Sequence, residues 1–170
     1  MNKTGTSRLK YWCLLIFMIG VTISCQNNHA QLSKEQSTLV KDSVAKMAAN
    51  IATDISAKGA AAWLNYFEDT SGFFMASDGQ LAFKDYPSAK TFTLNTLIKS
   101  MPHIKLRWEH IRIDPLTPDL ALMGADFHED ITTATGNSLP FDGYFTATAH
   151  FNGHNWKLRN LHWSIKKNEK

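Results

Sequence analysis

The sequence predicts an α+β domain, with helices in the amino-terminal half and an antiparallel sheet in the carboxyl-terminal half. Apolar residues recur at helical spacing over residues 33–57, and an Asp78-Gly79 turn separates two short apolar runs. From residue 104 onward, long segments alternate apolar and polar side chains, as strands do. Helices followed by such strands favour segregated layers over βαβ units, and 170 residues with 44% apolar side chains suit one domain.

Three helices are predicted, and residues with capping or breaking preferences mark their ends. The first begins at Ser33, which forms a capping-box pattern with Gln36, and it ends before Gly59. The last ends before Pro102, because proline disfavours helical geometry in the residue that precedes it. The predicted helices cover residues 33–57, 60–67 and 88–101.

Six strands follow from alternation and from turn residues. A short hairpin is expected around Asp78-Gly79 and a longer one around Asn152-Gly153, since such dipeptides favour tight turns. The alternation reverses near His110, which predicts a β-bulge at that point. The predicted strands cover residues 73–76, 81–83, 104–114, 120–131, 144–151 and 156–165.

The first 25 residues resemble the signal peptide of a bacterial lipoprotein. A basic, polar start precedes 13 largely apolar residues, too few to span a bilayer as a helix. Ser24 before Cys25 resembles a lipobox, although Thr22 stands where that pattern prefers leucine, so Cys25 is the predicted lipidation site. Cleavage after Ala30 by the ordinary signal peptidase and a retained anchor are the alternatives.

We therefore expect an exported protein of the cell envelope that touches the membrane only through its anchor. The predicted organisation is a signal peptide over 1–25, a polar tether over 26–32, a domain over 33–166 and a tail over 167–170.

The charge balance argues against nucleic-acid binding. Three of the 18 Lys and Arg residues lie in residues 1–25, which contain no Asp or Glu, so the rest of the chain has 15 basic and 15 acidic residues. A neutral domain lacks the positive charge that drives phosphate binding. Both cysteines, Cys13 and Cys25, lie in that segment, so the domain has no thiol for a disulfide, a nucleophile or a thiolate metal site.

Three histidines, His150, His154 and His162, surround the Asn152-Gly153 turn. Strict alternation sends His150 and His162 to opposite sheet faces, so no metal site is predicted unless a bulge changes the register. The apolar face is predicted to carry Phe145, Ala147, Ala149, Phe151, Trp156, Leu158, Asn160 and His162. The mixed face is predicted to carry Tyr144, Thr146, Thr148, His150, Lys157, Arg159, Leu161 and Trp163.

Three segments carry a resemblance to a known family: HIRIDPLTPDLALMGADF (110–127), GYFTATAHF (143–151) and the closing WKLRNLHWS (156–164). Together with the helical first half and the Asp78-Gly79 hairpin, their order resembles the nuclear transport factor 2-like superfamily, and within it the SnoaL-like domains of unknown function. The resemblance covers about residues 33–166. It implies a cone, in which a strongly bent antiparallel sheet wraps round the helices and leaves a pocket at its open end.

The resemblance also implies a partner and a set of activities. Members commonly dimerise through the outer face of the sheet, where Tyr144, Leu161 and Trp163 would suit a contact. Some relatives are isomerases, dehydratases or cyclases with an Asp/His or Asp/Tyr pair, and matching the closing motif carries over His162 alone.

Glu129 is the most suggestive carboxylate, because it shares the apolar side of strand 120–131. A Glu129–His162 pair would perform general acid–base work. The alternative for Glu129 is a solvated carboxylate at the end of its strand. The alternative for His162 is a core or rim histidine that is hydrogen-bonded to a backbone carbonyl. Five aromatic residues are candidates to line a ligand pocket, although each also suits core packing: Trp63, Phe67, Trp108, Phe127 and Phe145.

The sequence contains no phosphate loop, nucleophile elbow or HExxH motif, and no cofactor is predicted. Three functions stay open. The leading hypothesis is an exported, lipid-anchored domain that binds a small, partly apolar molecule without transforming it. The second is an isomerase or dehydratase that uses His162, and the third is a dimeric interaction module without a pocket. A cavity with a carboxylate beside His162 favours the enzyme, a cavity without that pair favours binding, and a filled core favours the third.

Overall fold

The computed structural model describes residues 32–167. The predictions for the signal peptide, for Cys25 and for nearly all of the tether lie outside these residues. The helical elements are α1 (Lys34–Lys58), a 3-10 helix (Ala60–Asn65), α2 (Tyr86–Phe92), a π-helical segment (Thr93–Leu97) and α3 (Ile98–Ser100). The strands are β1 (Phe74–Ser77), β2 (Gln80–Phe83), β3 (His103–Thr117), β4 (Leu120–Thr132), β5 (Ser138–Phe151) and β6 (Trp156–Ile165).

The predicted α+β class is confirmed. All six strands form one bent, unclosed sheet in the order β2-β1-β6-β5-β4-β3. β3 to β6 form an antiparallel meander, and β1 joins β6 in parallel. The helices lie on one face of the sheet, the inner face, which carries Ala121, Met123, Ala125 and Phe127 of β4. The opposite face is the outer face.

The ends of α1 are those that the sequence predicts. The Ser33 hydroxyl accepts the Gln36 amide at 3.1 Å, and the Gln36 side chain accepts the Ser33 amide at 3.0 Å, which completes the capping box. Gly59 ends the helix with φ at +73°, and a Cβ there would lie 3.2 Å from the Pro102 carbonyl oxygen. Glycine meets both demands because it has no Cβ.

The predicted helix over 88–101 is observed over 86–100, and it starts earlier because Asp85 caps it. The Asp85 carboxylate accepts the Ser88 amide at 2.8 Å, and Pro87 occupies the first turn, where its missing N–H is no loss. Its middle, Thr93–Leu97, is π-helical. Among residues 32–167, no helix is both long and apolar enough to cross a membrane.

The core fills the space between α1 and the inner face. Trp108 ties the layers together, since its indole N–H donates to the Ala48 carbonyl of α1 at 3.0 Å. Ser56 also joins them, since its hydroxyl accepts the Leu106 amide at 3.1 Å. The buried stripe of α1 consists of Val40, Val44, Met47, Ala48, Ile51 and Ile55.

A bulge in β3 is confirmed near His110. Pairing with β4 skips from Glu109 to Arg112, and His110 has φ at +48°. The irregularity reverses the alternation, as the sequence pattern predicts.

A second bulge, in β6, was not predicted and overturns part of the face assignment. Thr148 of β5 lies opposite Asn160, but the next residue, Ala149, lies opposite Leu158, so Arg159 is the extra residue. Because one added residue inverts every later side chain, Leu161 becomes buried on the inner face and His162 becomes exposed on the outer face. The predictions that Asn160 and His162 face inward, and that Leu161 and Trp163 face outward, are therefore wrong.

Candidate ligand-binding pocket

A largely apolar pocket of about 450 Å³ opens between the inner face of the sheet and the helical segment 86–100. It lies at the end of the sheet where β4 and β6 finish and β3 and β5 begin. Six aromatic residues line it: Trp63, Phe67, Phe83, Phe92, Phe141 and Trp163. The other apolar lining residues are Met75, Ala82, Leu97, Met101, Ile104, Ile131, Leu161 and Ile165.

Glu129 is the only ionisable side chain among the described residues that line this pocket. Its neighbours on β3 and β5 are Leu106 and Phe141, and its neighbours along the inner side of β4 are Phe127 and Ile131. Burial among these apolar groups raises the pKa of Glu129 to about 7. No hydrogen bond or opposite charge within residues 32–167 offsets that burial. The carboxyl group is thus the single acidic point in an apolar space.

Two hydroxyl groups are the remaining polar side chains in the described lining. Ser77 ends β1 on its inner side, and Thr93 begins the π-helical segment and is buried. Thr93 and Leu97 lie four residues apart in the π-helical segment, and both line the cavity.

The five aromatic residues proposed from the sequence divide into two groups. Trp63 and Phe67 line the pocket and stack with ring centroids 5.6 Å apart. Trp108, Phe127 and Phe145 lie behind the pocket wall, where Phe127 and Phe145 are fully buried. Each of these three packs against Trp163, with centroids 4.4–5.9 Å away. Their place is in the core that supports the pocket.

Gly143 explains how the Phe127 ring fits against β5. A Cβ at this position would lie 2.6 Å from two carbons of that ring, closer than real contacts allow. The absent side chain therefore lets the Phe127 ring lie directly against Gly143 of β5, beside Trp163.

The predicted Glu129–His162 pair does not form. Glu129 points into the pocket, whereas His162 pairs with Thr146 on the outer face and is exposed. The bulge at Arg159 is the physical reason, since it reverses the direction of His162. The histidine stays a solvent-facing side chain in this structure.

The residues proposed for a dimer contact also separate. Tyr144 lies on the outer face with 44% of its surface exposed, as predicted. Leu161 and Trp163 line the pocket on the inner face, so that part of the prediction is wrong for the same reason. Dimerisation itself stays a prediction.

The structure also contains a buried charge cluster that sequence reasoning missed. Glu68 is 3% exposed, and its carboxylate accepts the Arg159 Nε–H at 2.5 Å and contacts Nδ1 of His150 at 2.6 Å. Its backbone is held by the Leu158 carbonyl, which accepts the Glu68 amide at 2.9 Å. No local signal could have found the cluster, because Glu68 follows a short helix and precedes a polar turn. Since its charges already neutralise one another, we assign it a structural role.

His150 and His162 both lie on the outer face, so the prediction of opposite faces is wrong, and His154 is exposed in the turn. Among the described residues, no group of three or more His, Cys, Asp or Glu side chains is arranged to hold a metal ion.

A second depression, of about 370 Å³, lies on the outer face. His128 contacts Asp142 through Nδ1 and lies 3.4 Å from Glu109 through Nε2. Since these polar groups already pair with one another in the open, the depression has less to offer a ligand than the apolar pocket.

Comparison with solved structures identifies the fold as that of nuclear transport factor 2-like proteins. A superfamily member from Salmonella enterica serovar Typhimurium is 12% identical, with a TM-score of 0.66 over 78% of this chain and 95% of that one. A proposed scytalone dehydratase from Novosphingobium aromaticivorans is 10% identical, with a TM-score of 0.68 over 79% and 89%. The type 3 hexachlorocyclohexane dehydrochlorinase from Novosphingobium barchaimii is 12% identical, with a TM-score of 0.64 over 79% and 92%.

No family model matches the chain, and no curated protein sequence matches it. At 10–12% identity, the three structures speak to the fold alone.

Proposed function

We propose that this domain binds a small, largely apolar molecule in the pocket beneath the helical segment 86–100 and holds it through one ionisable group, Glu129. The observation that carries the proposal is the combination of about 450 Å³ of apolar space with a single ionisable lining residue. Small-molecule sites have this composition, in which apolar walls supply affinity and a few polar groups fix orientation.

Binding without chemical change is favoured over catalysis because the acid–base pair is missing. Two of the similar structures are a dehydratase and a dehydrochlorinase by name, and removing water or hydrogen chloride requires a proton to move. Here His162 is turned to the opposite face, and the described lining offers no second titratable group to Glu129. The interaction module is disfavoured too, because that hypothesis required a filled core.

The test uses the neutral fluorescent probe N-phenyl-1-naphthylamine and two matched variants of the full chain. Ser77→Phe places a ring in the pocket, whereas Ala76→Phe places the same ring on the other side of β1, beside His162. We expect the probe to brighten with the wild type and with Ala76→Phe, and to lose at least about tenfold in affinity with Ser77→Phe. Equal binding by both variants, or no binding by the wild type, would refute the proposal that this pocket binds a ligand.

The second candidate function is proton transfer by Glu129 alone. The pKa of Glu129, about 7, favours this function. A group that titrates near the working pH both accepts and donates a proton. Deuterium exchange at the α-carbons of 2-tetralone in D₂O tests this, because the carboxylate would remove a proton and return a deuteron. Exchange above background that is lost in Glu129→Gln supports catalysis. Exchange equal in both proteins excludes this role for Glu129.

Export and lipidation at Cys25 belong to the same proposal and rest on the sequence alone. We expect the mature protein to begin at Cys25 and to carry fatty acyl groups, which the mass of the purified protein reports. Cys25→Ser should remove that mass, whereas cleavage after Ala30 would give a lipid-free product.

Dimerisation through the outer face, with Tyr144 in the contact, is tested by sedimentation of the wild type and Tyr144→Lys.

A further inference from the structure

We propose that the ligand is an apolar amine, bound as its ammonium ion against the Glu129 carboxylate and the aromatic walls of the pocket. This inference rests on the proposed function, because it names the chemical class that the same pocket selects. Three features support it: the missing charge partner of Glu129, the aromatic walls and the isolation of Glu129 from other charges.

Glu129 has no countercharge within the described pocket. Its cross-strand neighbours, Leu106 and Phe141, are apolar on both sides. A carboxylate withdrawn from water without a partner is costly, and a ligand cation placed beside it removes that cost. An alcohol or amide would offer only a neutral hydrogen bond, and an anionic ligand would be repelled once Glu129 ionises.

The pocket walls suit a cation as well as an apolar body. Trp63 and Trp163 meet nearly at right angles, with centroids 5.6 Å apart and an interplanar angle of 88°. Phe67 extends the Trp63 side as a stacked ring, and Phe141 flanks Glu129 from β5. Aromatic faces attract an ammonium ion, and their contribution grows in a desolvated site. One carboxylate in a pocket lined by aromatic side chains is thus complementary to a hydrophobic cation.

No other charge in the described pocket competes for the ligand. The side chains that pair with Glu129 across strands or share its pocket are neutral: Leu106 from β3, Phe141 from β5, Trp163 and Ile165 from β6, and Thr93, Leu97 and Met101 from the helical side. The charged or titratable residues next to it in β4, His128 and Asp130, alternate to the outer face. Glu129 therefore titrates by itself, and its ionisation should control amine binding.

The closing experiment compares two probes of equal shape, 4-phenylbutylamine and 4-phenylbutan-1-ol, on the full chain by calorimetry. At pH 8 we expect the amine to bind at least about tenfold more tightly than the alcohol. Its affinity should rise between pH 6 and pH 8, because Glu129 loses its proton over that range while the amine, which titrates near 10, stays charged. The alcohol affinity should fall or stay level over the same range.

Matched variants assign the effect to one carboxylate. Glu129→Gln keeps the shape and removes the charge, so it should erase the preference for the amine and its pH dependence. Asp130→Asn removes a carboxylate one residue away on the outer face and should leave both unchanged.

The outcomes separate this inference from the proposed function. If the alcohol binds as tightly as the amine at pH 8, or if Glu129→Gln keeps the amine preference, the ligand class is wrong while the pocket stands. If neither compound nor the naphthylamine probe binds, the proposed function fails as well. An amine preference that Asp130→Asn abolishes instead would place the recognition on the outer face and overturn the inference.

Discussion

Glu68 is buried and Glu129 is half-buried beside the pocket, and their surroundings differ in whether an opposite charge lies within reach. Glu68 lies against Arg159 and His150, so its charge is neutralised within the fold. Glu129 faces only apolar and aromatic groups in the described pocket, and burial raises its pKa to about 7. A paired buried carboxylate holds the structure together, whereas an unpaired one beside a cavity is available to a ligand.

The two glutamates also lie towards opposite ends of β5. Glu129 is opposite Phe141 near the beginning of the strand, and Glu68 contacts His150 near its end. The charge cluster of Glu68, Arg159 and His150 therefore stabilises one end of the sheet, and the ligand pocket lies at the other end. Substitutions at Glu68, Glu129 and His162 test this contrast, and their expected effects decrease in that order.

Glu68→Ala should reduce the free energy of unfolding by about 3 kcal/mol, because it leaves the Arg159 guanidinium beside an emptied, buried site. This is the low end of the range for broken buried pairs, since Arg159 keeps a third of its side chain exposed. Urea unfolding at pH 7 measures the change.

The control is a double-mutant cycle with Arg159→Met. If the two losses simply add, the pair is not coupled, and the assignment of Glu68 as a structural charge is wrong.

Glu129→Gln should flatten the dependence of stability on pH. The folded-state pKa of about 7 lies above the usual 4.5, so the folded protein keeps a proton that the unfolded chain releases. The contribution of Glu129 to stability should therefore be highest below pH 4.5 and should fall as the pH rises towards and through 7. Between pH 5 and pH 8 the wild type should lose about 2 kcal/mol from this group.

The measurement is urea unfolding of both proteins at several pH values, with Asp130→Asn as the exposed control. The difference between wild type and Glu129→Gln should grow with pH, in favour of the variant. A constant difference would mean that Glu129 titrates as it does in the unfolded chain.

His162→Ala should have the smallest effect, within about 0.5 kcal/mol of wild type, because this side chain is exposed on the outer face. Probe binding in the pocket should not change either. A loss of binding, or a destabilisation well above that limit, would mean that His162 lies on the inner face and that the Glu129–His162 pair exists. Thermal unfolding together with the naphthylamine assay decides between these outcomes.

Much of the fold was predictable because its signals are local. The capping box of Ser33 and Gln36, the Asp78-Gly79 turn and the reversal near His110 each lie within a few residues of the feature that they specify. Glu129 was also identified from its parity in β4, since strict alternation holds along that strand. Most element boundaries shifted by only a few residues, but β5 begins at Ser138, six residues before the predicted start at Tyr144.

The failure at the site traces to a single residue. Nothing in the letters WKLRNLHWS distinguishes a regular strand from one in which Arg159 is extra, because the bulge is held by a partner far away in the chain. Arg159 reaches Glu68, which is 91 residues earlier. The Arg159–Glu68 contact occurs at the bulge. Beyond this bulge the side chains of β6 exchange faces, so that Leu161 and Trp163 line the pocket and His162 faces outward.

Local signals in the chain are enough to specify the α+β class, the order and polarity of the elements, and the inward direction of Glu129, because helix caps, tight turns and strand alternation act over a few neighbouring residues. Three further features emerge only when distant segments meet: which end of the sheet stays open, which aromatic residues line the pocket and which carboxylate is left without a partner. They depend on the register between strands and on charges from remote parts of the chain, and one bulged residue is enough to exchange the inner and outer faces for the rest of a strand.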